Sequence, residues 1–319
     1  MDPTHYRAPF WLRGRHAQTI VPATLVPLPA PRYRRERLTT PDDDFVDFDW
    51  LDTSDAAAPL LIVFHGLEGS SRSHYARALM SAAQARGWRS VVAQFRGCSG
   101  EMNRAPRFYH SGDSSEIAWM VEQVRARFPL APLYAVGISL GGNALLRWLG
   151  EQPVESAQRL AAAAAISAPL DLAAAGHALA RGFNRVYTKS FLRTLQAKSL
   201  RKLDQFPGLF DRDAMLAARD LYAYDNVVTA PLHGYRDTDD YWLRAASKAV
   251  LGAIAVETLV LNALNDPFLP ASALPKPNQV SSAVHLDYPR EGGHVGFYSS
   301  ASGAYWLPER ILHFLSRGR

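Results

Sequence analysis

Short apolar runs of strand length alternate with longer amphipathic stretches through most of this chain, and that alternation leaves few architectures open. Residues 60–64, Leu-Leu-Ile-Val-Phe, are apolar without a break, as a strand buried on both faces of a parallel sheet must be. A helical pattern follows, with Tyr75, Ala78, Leu79 and Ala82 at i, i+3, i+4 and i+7 and Gly87 placed to close it. The pair of signals then repeats. A run at 91–95 precedes a helical face of Ile117, Met120, Val121 and Val124, with Asp113 and Glu116 at cap-like spacing. A run at 133–138 precedes Leu145, Trp148 and Leu149. Runs at 161–167, 258–262 and 284–288 read as later strands and 308–317 as a terminal helix, although the alanine-rich 161–167 taken alone also fits a helix. Strand and helix in this order predict an α/β fold with a mostly parallel, doubly wound sheet.

Two regions break the alternation. Residues 1–55 read as an N-terminal arm and a β-hairpin of the same domain, with Phe45, Phe48 and Trp50 set among Asp42, Asp43, Asp44 and Asp47. Residues 56–168 and 251–319 form the two parts of the core. Between them, 169–250 carries helical period, many aromatics and no strand signal. A segment of that length is too long for a bare loop and predicts a helical cap over a site.

Composition narrows the function classes. With 319 residues, 48% hydrophobic and 20% charged, the chain is neither disordered, collagen-like nor coiled coil. A chain this long buries about 75% of its unfolded surface, so it needs no metal or disulfide staples. Its single cysteine, Cys98, makes no internal bridge and favours a reducing compartment. The opening MDPTHYRAPFWLRGRHAQTIV has no apolar core of signal-peptide length, and no run reaches the roughly 18 apolar residues of a membrane span. A cytoplasmic protein is expected, with no integral membrane span and with peripheral lipid contact left open. The net charge of +5 rests on arginine, lysine occurring only at 189, 198, 202, 248 and 276, a bias that looks genomic. Clusters at Arg32, Arg34, Arg35 and Arg37 and at Arg193, Lys198, Arg201 and Lys202 come without a binding motif, so they read as solvated faces and no nucleic-acid partner is expected.

Gly137-Ile138-Ser139-Leu140-Gly141 falls where the strand at 133–138 ends and its helix begins, the context that makes G-x-S-x-G a nucleophile elbow. A turn that tight needs glycine on both sides of the serine. It lifts the Ser139 hydroxyl out of the sheet and sets the NH of Leu140 at a helix start, where it can donate to a developing oxyanion. A serine hydroxyl is a weak nucleophile until a base takes its proton, and the base needs an acid to fix its tautomer. In the order serine, acid, histidine, Asp266 follows the run at 258–262 and His294 follows the run at 284–288 within Glu-Gly-Gly-His-Val-Gly-Phe. Both then stand on loops at the carboxyl edge of the sheet. Asp171, after the run at 161–167, is the competing acid; His285, inside a strand pattern, reads as a packed or surface imidazole. His65-Gly66-Leu67-Glu68-Gly69-Ser70 follows the first core run and offers the NH of Leu67 as second oxyanion donor. It has no lysine and no Walker spacing, which argues against a phosphate loop.

Plainer readings hold for other residues. Cys98 has no adjacent base and reads as a structural, buried thiol. His16, His74, His110 and His233 lack metal-ligand spacing, so no metal is expected, and each reads as a loop histidine bonded to backbone. The aromatics Phe183, Tyr187, Phe191, Phe206, Phe210, Tyr222, Tyr224, Tyr235, Tyr241 and Trp242 fit an acyl pocket and helix packing within a cap equally. Phe191 and Trp242 are the substrate-binding candidates.

These motifs resemble the YheT-like branch of the α/β-hydrolase superfamily, over nearly the whole length. Arg13-Gly14-Arg15-His16-Ala17-Gln18-Thr19-Ile20 is similar to that branch's N-terminal G-x-H-x-Q-T-I signature. Segments 65–70, 95–100, 109–112, 230–234 and 292–294 are each similar to stretches typical of it. Ala17 stands where leucine is common and Val21 where an aromatic is common, differences that bear on packing of the arm. The resemblance implies an α/β-hydrolase fold, puts the triad on Ser139, Asp266 and His294 and the oxyanion donors on Leu67 and Leu140, and implies carboxylic-ester hydrolysis, with short acyl esters and acylglycerol-type lipids as directions.

The expectation is a serine carboxylesterase acting through an acyl-enzyme on a small-molecule ester, without cofactor. The bulky cap aromatics favour short to medium acyl groups, and no open lipid-binding surface is signalled. An acyltransferase, a thioesterase or an intracellular polyester depolymerase would use the same triad. A binding protein on a dead hydrolase fold is disfavoured by the complete set of site residues.

Overall fold

The computed structural model describes residues 4–28, 30–299 and 305–317, and the apolar runs become strands of one eight-stranded sheet. In chain order these are β1 (Arg34–Thr39), β2 (Phe45–Leu51), β3 (Leu60–Phe64), β4 (Arg89–Ala93), β5 (Leu133–Ile138), β6 (Ala162–Ile166), β7 (Thr258–Leu261) and β8 (Val284–Asp287). They lie side by side as β1-β2-β4-β3-β5-β6-β7-β8. The β1–β2 hairpin joins antiparallel through β2 to β4, and every pairing from β4 to β8 is parallel. The expected α/β, mostly parallel doubly wound sheet is the one observed.

The period of two sends alternate side chains into two cores. Leu60, Ile62 and Phe64 face the layer that holds helices Ser114–Arg127 and Leu140–Glu151, while Leu61 and Val63 face helices His74–Ala85 and Trp306–Leu315. The alanine-rich run follows the same rule. Ala163 and Ala165 point to the first layer, Ala162, Ala164 and Ile166 to the second. Pairing with β5 and β7 on both sides overrides its helical propensity.

Several polar residues differ from their sequence reading. Asp113 precedes helix Ser114–Arg127, yet its side chain makes no capping bond; it pairs with Arg107. Glu116 is buried against Arg96, 2.7 Å from Nε, and Arg96 also reaches Asp44 at 2.8 Å and Asp42 at 2.9 Å. Burial alone would raise the Asp44 carboxyl, but donors from Asn103, the Arg104 NH and Arg96 bring it below the usual range. Arg34, Arg35 and Arg37 are ion-paired to Asp52, Asp49 and Asp47 on the hairpin. Lys198 and Lys202 are not on a solvated face. Lys202 is fully buried, bonded to the carbonyls of Asn103 and Ala105, because the helix Arg185–Gln205 that carries it lies on the 102–108 loop.

Between β6 and β7 the described chain is helical: Leu172–Leu179, Arg185–Gln205, Arg212–Ala217, Leu221–Tyr224, a π-helical turn at Asp225–Thr229, and Thr238–Ala245. Asp171, Asp211, Asp220 and Asp237 each cap one of these helices by accepting a backbone NH. Among the described residues no helix is long and apolar enough to cross a membrane.

The buried Arg96 cluster ties the hairpin turn to helix Ser114–Arg127. Arg96→Met should lower unfolding free energy by about 3–5 kcal/mol, since it strands Asp44 and Glu116. Arg34→Met, at an exposed pair, should cost under about 1 kcal/mol. Urea titration of both variants checks the contrast.

Candidate active site

β5 delivers Ser139 into a turn with φ 53° and ψ −120°, directly before helix Leu140–Glu151. Backbone strain of this kind costs about 1–3 kcal/mol and persists where the surroundings enforce it. Here the Ser139 NH is held by the Ile166 carbonyl at 2.8 Å, and both flanking glycines are packed without room for a side chain. A Cβ on Gly137 would meet Gly142 Cα at 2.6 Å, and one on Gly141 would meet the His65 carbonyl oxygen at 2.5 Å.

The loops after β7 and β8 bring the other two candidates to the hydroxyl. His294 Nε2 lies 3.0 Å from Ser139 Oγ, and His294 Nδ1 lies 2.9 Å from Asp266 Oδ2. A carboxylate only accepts, so Nδ1 carries the proton and Nε2 is left as acceptor for the serine hydroxyl. The second carboxylate oxygen of Asp266 accepts from the Phe268 NH at 2.8 Å, and the Phe268 ring stacks on the imidazole at 4.0 Å. Asp171 serves as a helix cap instead, and His285 is exposed on β8, 2.7 Å from Glu257.

After β3 the chain turns at Glu68, with φ 56°. Two tyrosine hydroxyls accept from this turn, Tyr75 from the Gly66 NH at 2.9 Å and Tyr109 from the Glu68 NH at 2.7 Å. The intervening NH of Leu67 and that of Leu140 find no acceptor among the described residues. His65 is fully buried; Nδ1 donates to the Gly66 carbonyl and Nε2 accepts from the Phe95 NH, which fixes its neutral tautomer. Burial pushes its pKa down to about 4.

Ser139, Leu67, Leu140, His294, Phe191 and Trp242 all line one pocket with about 1040 Å³ of empty space, its open mouth included. Leu172, Ala175, Leu179, Leu195 and Phe268 make much of its apolar wall. Tyr224 and Tyr241 also line it, whereas Phe210 does not and packs behind Tyr224 in the cluster around Met215. Two polar spots interrupt the wall. Lys198 Nζ sits 2.7 Å from Glu68 Oε1, and the half-buried Asp225 carboxyl accepts from Thr229 and Trp242, with desolvation pushing it up to about 6. Cys98 is half-buried rather than buried. Desolvation raises its thiol to about 11, a neutral group at neutral pH. His233 bonds backbone carbonyls of Thr229 and Phe108, but His16 and His74 open helices rather than sit in loops, and His16 bonds the Tyr187 hydroxyl. Among the described residues no group of three or more His, Cys, Asp or Glu is arranged to hold a metal.

In sequence, Gln18 and Thr19 stand out only as part of the N-terminal signature. In the structure they clamp the histidine loop. Thr19 Oγ1 accepts from the His294 NH at 2.9 Å, and Gln18 Oε1 accepts from the Gly292 NH at 3.0 Å and from Asn265 Nδ2 at 2.8 Å. Asn265 in turn accepts from the Gly293 NH at 3.0 Å, so one buried amide links the Asp266 loop to the His294 loop. A Cβ on Gly293 would meet Thr19 N at 2.8 Å, which is why the arm can lie this close. Thr19→Val and Gln18→Leu should each lower kcat on a soluble ester about 10- to 100-fold with little change in KM, the cost of a base misplaced by a fraction of an ångström. Thr19→Ser should retain activity. Steady-state kinetics of the folded variants checks this.

A family profile described as the alpha/beta hydrolase fold matches residues 59–301. Among named proteins, the chain is 40% identical over 291 residues to "Putative esterase YheT" of Escherichia coli, covering 88% of this chain and 84% of that one. It is 30% identical to "Phospholipase ABHD3" of Mus musculus, over 92% of this chain and 73% of that one. It is 29% identical to "Monoacylglycerol lipase" of Saccharomyces cerevisiae, over 88% and 63%. The solved Pyrococcus furiosus esterase Pf2001 superposes with a TM-score of 0.59 over 90% of each chain at 14% identity, a likeness of fold alone. Sheet order, elbow and these matches agree: the chain belongs to the α/β-hydrolase fold family, as an esterase- and lipase-type member of its YheT-like branch.

Proposed function

We propose that this chain is a serine carboxylesterase acting on short to medium acyl esters or acylglycerol-type lipids. The observation that carries the reading is the unbroken relay of 3.0 Å from Ser139 Oγ to His294 Nε2 and 2.9 Å from His294 Nδ1 to Asp266, opening on an apolar pocket. Ser139 Oγ attacks the ester carbonyl as His294 takes its proton. The NH groups of Leu67 and Leu140 receive the oxyanion, and Asp266 stabilises the imidazolium. The imidazolium then protonates the leaving alcohol, and water activated by His294 releases the acid. Acyl transfer through these groups calls on no cofactor. The names of the relatives, an esterase, a phospholipase and a monoacylglycerol lipase, support an ester as substrate. A helical cap over residues 169–250 fits the wall that Phe191, Lys198 and Trp242 give the pocket, and a reducing, cytoplasmic setting fits the lone Cys98 thiol.

Ser139→Ala should reduce turnover of p-nitrophenyl esters about 10⁶-fold in a folded protein. Asp266→Asn should cost about 10⁴-fold through the wrong tautomer, while Asp171→Asn should leave kcat unchanged because that carboxylate caps a helix and pairs with Lys248, away from the imidazole. A more severe Asp171 variant would move the acid role away from Asp266.

Each extra acyl methylene that finds wall should add up to about 0.8 kcal/mol, roughly fourfold in kcat/KM, until the chain meets the end of the pocket. Phe191→Ala and Trp242→Ala should shift that optimum to longer chains. An ester series from two carbons upward reads the shift, and a profile unmoved by either variant would leave both aromatics with packing roles.

A further inference from the structure

Ten large apolar side chains are exposed among the described residues, and five of them, Phe10, Trp11, Phe183, Val186 and Leu264, come from three segments that meet beside the histidine loop. Phe10 and Trp11 stand on the turn leading into helix Arg15–Thr24, whose His16 ring contacts Phe183 at 4.5 Å. Leu264 precedes Asn265, which is bonded to Gln18 of that same helix. Exposed single apolar residues are ordinary, whereas a gathered set marks an interaction surface.

The charge around this set is mostly positive. Arg7, Arg13 and Arg15 on the arm, Arg181 just before helix Arg185–Gln205, and Arg185, Lys189 and Arg193 on that helix are all exposed, and neither 4–28 nor 172–203 contains an aspartate or glutamate. The exposed Glu291, which accepts from Gln18 Nε2 at 3.3 Å, sets a single negative charge against seven positive ones. The same face adjoins the reaction centre. Phe183 contacts Tyr187, Tyr187 contacts Phe268 at 4.9 Å, and Phe268 stacks on His294. The side chain of Asn184 donates to the carbonyl of Pro267, next to Asp266.

We propose that this face docks on an anionic bilayer surface, with Phe10, Trp11, Phe183 and Val186 at the acyl–headgroup boundary and the guanidinium groups on lipid phosphates. Aromatic and aliphatic side chains ringed by arginine match the two demands of such a surface, apolar depth and negative charge. Delivery of a bilayer ester to Ser139 rests on the catalytic reading; the docking itself does not.

The test is co-sedimentation of the full chain, as Ser139→Ala, with vesicles of phosphatidylcholine alone and of phosphatidylcholine mixed with phosphatidylglycerol. Binding should favour the anionic vesicles at least tenfold or so and weaken with added salt. Arg185→Gln with Lys189→Gln should weaken it about thirtyfold. Phe10→Ser with Trp11→Ser should also weaken it, and both pairs, made in the wild-type chain, should leave hydrolysis of a soluble short ester unchanged. That hydrolysis reads the catalytic assignment separately. Equal binding to both vesicle types, or binding that survives both pairs, would overturn the proposal. So would duplex DNA stripping the protein from vesicles at equal phosphate, which assigns the face to nucleic acid, or a dimer that the Phe10 and Trp11 changes disperse, which assigns it to a second copy.

Discussion

The turn that holds Ser139 at φ 53° is the constraint on which the site depends. Nothing local favours that conformation in a serine. It is enforced by β5 lying between β3 and β6, by the Ile166 carbonyl on the Ser139 NH, and by glycines whose missing side chains let the elbow helix press on the His65 carbonyl. The buried central sheet thus supplies the free energy that keeps a strained residue in place. In return, the strain aims a hydroxyl at His294, beside the NH groups of Leu67 and Leu140, which find no acceptor among the described residues.

Parallel strands place their carboxyl ends on one edge, so the loops after β3, β5, β7 and β8 converge there without further design. Convergence alone does not set a hydrogen-bond length. The last adjustment comes from the N-terminal arm, where Gln18 and Thr19 take up the backbone NH groups of Gly292 and His294. These NH groups would otherwise be buried without partners, so the same bonds that satisfy the loop also fix the imidazole. The arm therefore belongs to the site although it lies far from it in sequence.

What was legible in the sequence is what is local. Apolar runs of strand length marked the parallel strands because burial on both faces leaves no other pattern, and β3 and β5 begin and end where their runs do. Ser139, Asp266 and His294 could be placed because each follows a strand within a glycine- or turn-rich loop. The Gln18 amide could not be read this way, since its partners Asn265 and Gly292 meet it only after the sheet has formed. The same holds for the stacking of Phe268 on His294. Charge misled for a related reason. Lys198 and Lys202 look like a solvated stripe until the helix Arg185–Gln205 is laid on Glu68 and the 102–108 loop. Asp113 and Glu116 have capping spacing, but Arg96 and Arg107 compete for them through space.

The most direct test of the account is a crystal structure of the protein inactivated by a small alkyl phosphonate, which mimics the tetrahedral intermediate. The account predicts phosphorus bonded to Ser139 Oγ, one phosphonyl oxygen about 2.7–3.1 Å from the NH groups of both Leu67 and Leu140, and the alkyl group in the pocket lined by Phe191 and Trp242. An adduct on another residue, or a phosphonyl oxygen turned away from both NH groups, would contradict it.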